Sequence, residues 1–125
     1  MDCPLDLAPS LTHCPVTAAV DVIGGKWKPL IVWNLMQRTH RFGELRRALP
    51  TVTQQMLTAQ LRELETAGIV HREVYREVPP KVEYSLTPMG KGLGDLLSEM
   101  VRWGETYLAA KRSDDAVDAP MAARS

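Results

Sequence analysis

The stretch that most constrains the fold of this chain is residues 51–67, since neither glycine nor proline interrupts it. Thr51 or Thr53 can cap the start of a helix, and Gly68 stands where such a helix should end. With about 100° of rotation per residue, one side of this helix is apolar. That side carries Leu57, Leu61 and Leu64. The stretch therefore predicts one amphipathic helix whose leucine side faces a core.

The opposite side of this helix is polar, and its two acids, Glu63 and Glu65, fall on the flanks. Glutamine can bond adenine, arginine can bond guanine, and threonine or alanine can contact a thymine methyl group in the major groove. The alternative is a polar side that is simply solvated, as in most amphipathic helices. The candidate DNA contacts in this helix are Thr53, Gln54, Gln55, Thr58, Ala59 and Arg62.

The formal net charge of zero hides a sorting of charge along the chain. Residues 26–62 hold seven basic residues and one acid, which gives +6, whereas residues 1–25 and residues 63–125 each carry −3. The basic residues of this block are Lys26, Lys28, Arg38, Arg41, Arg46, Arg47 and Arg62. They precede or lie within the 51–67 helix, where contacts to DNA phosphates are needed.

Two helices and a short third one are predicted before the 51–67 helix. Pro15 suits the first turn of a helix that Gly24 ends. Residues 26–37 predict a second helix, although residues 30–33 are apolar on all sides and also fit a buried strand. Residues 41–42 fit a short strand, and residues 43–49 fit a short helix that exposes Arg46 and Arg47. This short helix, a turn and the longer helix form a helix-turn-helix pattern.

A hairpin is predicted directly after the 51–67 helix. Apolar and polar residues alternate over residues 70–78 and again over residues 82–86, on both sides of Pro79-Pro80-Lys81. Two strands around a stiff tip in this position are the winged form of the motif. Arg76 and Lys81 can reach a minor groove or backbone phosphates from the tip. An ordinary surface hairpin with incidental charges is the alternative.

The last predicted helix has Pro88 in its first turn and runs to about Lys111. Its apolar band is wider than a small domain covers from one side, which favours pairing with a helix of a second subunit. We divide the chain into an N-terminal arm at residues 1–13, a domain with its dimerisation helices at 14–111 and a disordered tail at 112–125. The predicted fold class is mainly α with a small β-hairpin, a winged helix-turn-helix that dimerises through its N- and C-terminal helices.

Several classes of function lack a motif in this sequence. No apolar run reaches about 18 residues and the N-terminus has no signal-peptide pattern, so we expect a cytoplasmic protein without a membrane partner. No phosphate loop, metal motif or nucleophile elbow occurs, so we expect neither catalysis nor a cofactor. A metal site formed by Cys3, His13 and Cys14 is a further alternative. Their spacing fits no zinc pattern, and a fourth ligand is missing.

Cys14 directly precedes the proline of a predicted helix start. The positive end of a helix macrodipole lowers the pKa of a thiol in such a position and favours the reactive thiolate. The alternative is a buried small residue that seals a subunit interface. Cys3 in the arm can serve as a resolving thiol within or between subunits.

The order of these signals resembles the HxlR-type family of bacterial winged-helix transcription regulators, relatives of the MarR-like group. The resemblance covers roughly residues 14–108, and its last segment is the most specific. The matching segments are Cys14-Pro15-Val16, IGGKWKPL at 23–30, RFGEL at 41–45, MLT at 56–58, LRELE at 61–65 and EVPPKVEYSLT at 77–87.

The resemblance implies a homodimer that binds a palindromic operator in double-stranded DNA, with the 51–67 helix in the major groove and the hairpin as wing. Members of the family use the cysteine that matches Cys14 to sense oxidants, quinones or other electrophiles. Many members carry lysine or arginine where this chain has Gln55, so no operator sequence carries over. The residues that fit phosphate contacts are Arg41, Arg46, Arg47 and Lys81.

We interpret the chain as a dimeric DNA-binding regulator, a repressor whose occupancy of its operator depends on the state of Cys14. One alternative is a protein-binding winged-helix module. The other keeps DNA binding but replaces the thiol with a small-molecule effector, bound in a pocket lined by Trp27, Trp33 or Trp103.

Overall fold

A computed structural model describes residues 14–122 of the chain, with side chains described as far as residue 114. Five helices and three strands follow one another within this range. They are α1 (Pro15–Ile23), α2 (Trp27–Gln37), β1 (His40–Arg41), α3 (Phe42–Ala48), α4 (Gln54–Thr66), β2 (Val70–Tyr75), β3 (Lys81–Leu86) and α5 (Pro88–Ala122). The predicted arm at residues 1–13, with Cys3 and His13, lies outside the described residues. The order of elements confirms a mainly helical fold with a small sheet.

The apolar segment in α2 is a helix, which decides between the helix and the strand that its sequence left open. Ile31 and Val32 are fully buried and Leu35 nearly so, while Trp33 is half-buried. Because adjacent positions 31 and 32 are both buried, α2 is covered over a wide arc. This wide burial explains why its sequence has no clear helical period.

The two ends of α4 are formed by local signals that the sequence predicts. Thr53 caps the helix, since its Oγ1 accepts a hydrogen bond of 3.0 Å from the backbone N–H of Met56. Gly68 follows the helix with a φ of 79°, a left-handed conformation that glycine adopts without strain. The apolar side of α4 is buried, as predicted, through Leu57, Leu61 and Leu64.

The sheet has three antiparallel strands in the order β1-β3-β2. β1 pairs His40 with Tyr84, so the short strand predicted at 41–42 begins one residue earlier and lies beside the hairpin. β2 ends at Tyr75, opposite Lys81, so the prediction of a strand as far as Val78 is wrong. The prolines at 79 and 80 have no N–H to donate to the ladder, and pairing therefore stops before them.

The connection from β3 to α5 is fixed on the segment that follows α4. The hydroxyl of Thr87 donates to the carbonyl of Gly68 at 2.6 Å and accepts from the N–H of Gly90 at 3.0 Å. Gly90 lies so close to Ile69 that a Cβ at this position would overlap the Ile69 carbonyl oxygen. Position 90 therefore admits no side chain without a shift of the backbone.

The chain divides into two compact units, the first ending at Gly94 and the second beginning at Asp95. Most of α5 belongs to the second unit and exposes large apolar side chains, among them Trp103 and Leu108. α5 continues to Ala122, past its predicted end at Lys111, so much of the predicted disordered tail is helical. Arg112 has high helix propensity and favours continuation past the predicted end, whereas the low propensity of the aspartates and the proline after it leaves the rest of the extension without a local explanation. No helix among residues 14–122 is long and apolar enough to cross a membrane.

Candidate nucleic-acid interface

The side of α4 opposite its leucines faces solvent. The exposed side chains on it are Gln54, Gln55, Ala59 and Arg62, and Thr58 is half-buried. These five residues together line a shallow, open depression of the surface. Amide, hydroxyl and guanidinium groups are the side-chain groups that read base edges in the major groove. We call these five residues the reading face, and they are the base contacts expected from the sequence.

Thr53, the other α4 residue predicted to contact DNA, has a different position. Its side chain is exposed, but it does not line the depression formed by the reading face. Its hydroxyl oxygen accepts the N–H of Met56 and thereby caps the helix. Thr53 thus orients the first turn of α4, and its hydroxyl hydrogen stays available to a neighbouring group.

Of the three arginines on and beside α3, Arg41 and Arg47 are exposed, and for Arg47 this exposure was predicted. The expectation that Arg46 is exposed is wrong. Arg46 is half-buried, and its Nε is buried without a hydrogen-bond partner among the described residues. The reason is packing, because α3 lies against β1, α2 and β3 and its flanks are partly covered.

Glu44, the single acid within residues 26–62, is held at the start of α3. Its Oε1 accepts a hydrogen bond of 2.8 Å from the backbone N–H of Arg41 and lies 3.3 Å from a guanidinium nitrogen of Arg38. The hydrogen bond from Arg41, and to a smaller extent Arg38, lower the pKa of Glu44 below its usual value. The carboxylate therefore serves the helix start and is partly balanced by Arg38.

The hairpin of β2 and β3, with its loop at residues 76–80, is the wing. Arg76 is exposed and lies in the loop, one residue past the end of β2 and outside the strand predicted for it. Lys81 is not at the tip: it is the first residue of β3 and is half-buried. Its ammonium lies 4.5 Å from the centre of the Tyr75 ring and 3.8 Å from a carboxylate oxygen of Glu83. The same Glu83 is the main cause that raises the pKa of Tyr75.

A groove of about 420 Å³ runs between α4 and the sheet. It brings further residues beside the reading face that sequence reasoning missed. They are Phe42, Leu61, Glu65, Arg72, Val82 and Tyr84. Arg72 lines the same groove as Arg62 and adds a second guanidinium to it. The alternation along β2 places Arg72 on the same strand face as the buried Val70, and this pattern in the sequence could have indicated that Arg72 faces α4. Neither this groove nor the depression on α4 includes a tryptophan, so the predicted aromatic pocket is not formed at either place.

Cys14 lies immediately before α1 and is buried, with 8% of its surface exposed. Its carbonyl oxygen accepts the N–H of Ala18 at 2.8 Å, which starts the helix. The thiol is therefore close to the positive end of α1 while water reaches little of it. Within the part of the chain whose side chains are described, no three histidine, cysteine or acidic residues cluster as a metal site. His13 and Cys3, the other residues of the metal alternative, lie outside that part.

The family is decided by comparison with known proteins. A family model described as HxlR-like helix-turn-helix matches residues 22–112. The chain belongs to this family. It is 52% identical over 101 residues to the HTH-type transcriptional regulator YybR of Bacillus subtilis, covering 81% of each chain. This HxlR-like chain is therefore a transcriptional regulator with a DNA-binding helix-turn-helix, and it is not an enzyme.

Solved structures of regulators in reduced, oxidised or diamide-treated form are similar to this HxlR-like chain. The redox regulator HypR in its reduced form is 52% identical, with a TM-score of 0.75 over 79% of this chain and 98% of that one. Its oxidised form is 56% identical, with a TM-score of 0.70 over 74% and 96%. The diamide-treated regulator YodB from B. subtilis is 38% identical, with a TM-score of 0.66 over 76% and 95%. These likenesses confirm the winged-helix fold class.

Proposed function

We propose that this chain represses transcription by binding a palindromic operator as a homodimer, with α4 of each subunit in the major groove. The observation that carries the proposal is the reading face, a solvent-facing row of base-reading side chains above three buried leucines. Arg41, Arg47 and Arg76 are exposed and supply phosphate contacts. A regulator of this kind acts on the chromosome, so we infer a cytoplasmic location.

The direct test measures binding to duplex DNA by fluorescence anisotropy. One duplex covers the region upstream of the chain's own gene, and the other is a random duplex of equal length. We expect tight binding to the first and weak binding to the second, with affinity for both falling steeply as salt rises because counterions are released. A protein-binding module has no such counterions to release, and a failure to bind either duplex at low salt would contradict the proposal.

The homodimer is supported by apolar side chains that α1 and α5 leave exposed. On α1, Val16 and Val20 lie one turn apart and are 57% and 56% exposed. On α5, the rings of Trp103 and Tyr107 stack with centroids 5.3 Å apart and are both exposed. Large apolar side chains in helical rows are typical of subunit interfaces. A dimer also provides the two reading helices, about 34 Å apart, that a palindrome requires.

Sedimentation velocity tests the dimer. The wild-type chain should sediment as a dimer at micromolar concentration, and Trp103→Glu should shift it toward the monomer because a buried charge is costly in an interface. Lys91→Glu is the matched control, since Lys91 is exposed on the same helix and lies away from Trp103 and Tyr107 on the helical wheel. A wild-type monomer at high concentration would contradict this part of the proposal.

We further propose that Cys14 makes operator binding responsive to oxidants or electrophiles. HypR is described as a redox regulator, and the thiol of Cys14 lies at the start of α1. Because Cys14 is buried, modification of its thiol forces α1 or its neighbours to move, which changes the spacing of the reading helices. The alternative role, a small buried residue that seals an interface, gives no such response.

Replacement of Cys14 by serine decides between these roles. Diamide or a quinone should release the wild-type chain from its operator duplex and leave Cys14→Ser bound. If both proteins are released equally, the switch is excluded. If neither responds but another small molecule releases both, the effector acts elsewhere.

A further inference from the structure

An ion pair joins α4 to α2 at the edge of the reading face. The ammonium of Lys28 lies 2.5 Å from a carboxylate oxygen of Glu63. Lys28 belongs to the first turn of α2, and Glu63 belongs to the C-terminal half of α4. The two partners differ in exposure, because the side chain of Lys28 is 15% exposed and that of Glu63 is 57% exposed. The lysine is thus an internal group that points at a carboxylate on the edge of α4.

The net charge of α4 indicates why the ion pair between Lys28 and Glu63 matters for DNA binding. Within α4, Arg62 is the single base, and Glu63 and Glu65 are acids, so the helix by itself carries a charge of −1. Glu63 directly follows Arg62, and on a helical wheel it lies beside Ala59 at the edge of the reading face. An unbalanced carboxylate there would repel the phosphates that border the major groove.

We infer that Lys28 is a positioning residue for DNA reading. Its ammonium neutralises Glu63 and ties that edge of α4 to α2, so that the duplex does not meet an unbalanced carboxylate at Glu63. Glu65, on the groove side of α4, keeps its charge. Lys28 does not itself contact DNA, since little of its side chain reaches solvent and its charge is already paired. This inference rests on the proposed function, because it names a further residue for the same interface.

The unequal burial of the pair predicts unequal effects of its two partners. Loss of Glu63 leaves an internal ammonium without its anion, which destabilises the fold but removes a repulsive charge from the edge. Loss of Lys28 leaves an exposed carboxylate beside the duplex, which water solvates well but phosphates repel. The first change therefore acts mainly on stability, and the second mainly on DNA affinity.

Four variants test the inference by fluorescence anisotropy on the upstream duplex at low salt. They are Lys28→Met, Glu63→Gln, the double variant K28M/E63Q and the control Lys91→Met, which removes an exposed lysine in the first turns of α5. We expect Lys28→Met to weaken binding about tenfold and the double variant to return to within about threefold of wild type, because the repelling charge is gone. Lys91→Met should stay within about twofold.

Two further readouts separate positioning from a purely structural role. The deficit of Lys28→Met should shrink to about threefold or less at 300 mM salt, since screening weakens repulsion between exposed charges. Glu63→Gln should lower the melting temperature yet bind the duplex at least as tightly as wild type at 10 °C. Lys28→Gln replaces Lys28→Met if the methionine variant does not fold, and Glu63→Gln tests the sign of the effect independently of both.

Three outcomes of these experiments would contradict the role proposed for Lys28. If Lys28→Met binds as wild type, or if its deficit persists in the double variant, Lys28 either has no part in reading or contacts DNA directly, and the inference is wrong. Weaker binding by folded Glu63→Gln would also overturn it. A wild-type chain that binds neither duplex overturns the proposed function as well, which no variant result by itself does.

Discussion

The reading face and the wing both carry polar and charged side chains, but these side chains differ in what they contact. On the reading face, the side chains of Gln55 and Arg62 make no hydrogen bond or ion pair with any described residue. On the wing, Lys81 contacts Tyr75 and Glu83, and His71 lies 2.7 Å from Glu73. Groups without internal partners are available to an external one. We therefore expect α4 to supply specificity and the wing to supply a smaller share of affinity.

The largest contrast should appear in stability. Leu57, on the buried side of α4, is fully buried, whereas Val74 of the wing is 44% exposed. Leu57→Ala should lower the free energy of unfolding by about 3 kcal/mol, because it removes buried methyl groups and leaves a cavity. Val74→Ala should cost less than about 0.5 kcal/mol. Urea unfolding measures both, and equal losses would show that the wing is as integral to the core as α4.

Arg62 tests whether the reading face carries sequence information. Arg62→Ala should weaken operator binding by about 1–3 kcal/mol and relax the preference for one base pair, as expected when a side chain contacts a base edge. Arg47→Ala, a matched exposed arginine on α3, should weaken binding to all sequences alike. Binding to a set of single-base operator variants makes the comparison. If Arg62→Ala lost affinity uniformly, Arg62 would be a phosphate contact.

The wing carries two cations, Arg76 and Lys81, for which the sequence predicts the same role in DNA binding but the structure shows different contacts. Arg76→Ala removes an exposed cation in the loop and should weaken binding about threefold while reducing the salt slope by about one unit. Lys81→Met removes an ammonium already held by Tyr75 and Glu83, so affinity should change by less than about twofold. Anisotropy titrations at several salt concentrations measure both. A larger effect of Lys81 would mean that its internal contacts break on binding.

The smallest expected effect is the contribution of Glu44 to the pH dependence of stability. Its pKa is lowered from 4.5 in the folded chain, chiefly by the N–H of Arg41, so its charged form stabilises the fold. This contribution is complete above the unfolded value of 4.5 and is lost as pH falls through the lower folded value. Melting temperatures between about pH 6 and about pH 3 should therefore fall less for Glu44→Gln than for wild type. Identical profiles would show that the cap contributes nothing.

The features that could be predicted from the sequence depend on residues close to one another in the chain. The start and end of α4 depend on Thr53 and Gly68, which act within one helical turn of themselves. The buried leucines and the solvent-facing reading face follow from the helical period alone. For the same reason, the helix-turn-helix and the hairpin after it were predictable without tertiary information.

What could not be predicted depends on contacts between distant residues. The position of Lys81 beside Tyr75 follows from the strand register, which alternation of residue types does not specify. The partial burial of Arg46 and the approach of Arg72 to Arg62 require the packing of α3 and the sheet around α4. The end of α5 was misjudged because few apolar residues after 112 indicate little core, which says nothing about helix propensity.

The close approach of Gly90 to Ile69 has a practical consequence for protein engineering. A chimaera that exchanges wings between relatives has to keep Ile69, Thr87 and Gly90 from the same parent. The hydroxyl of Thr87 and the close approach of Gly90 to Ile69 together form the joint between β3 and α5. Crossover points placed inside this joint should yield insoluble hybrids, whereas points in the loop at residues 76–80 leave it intact.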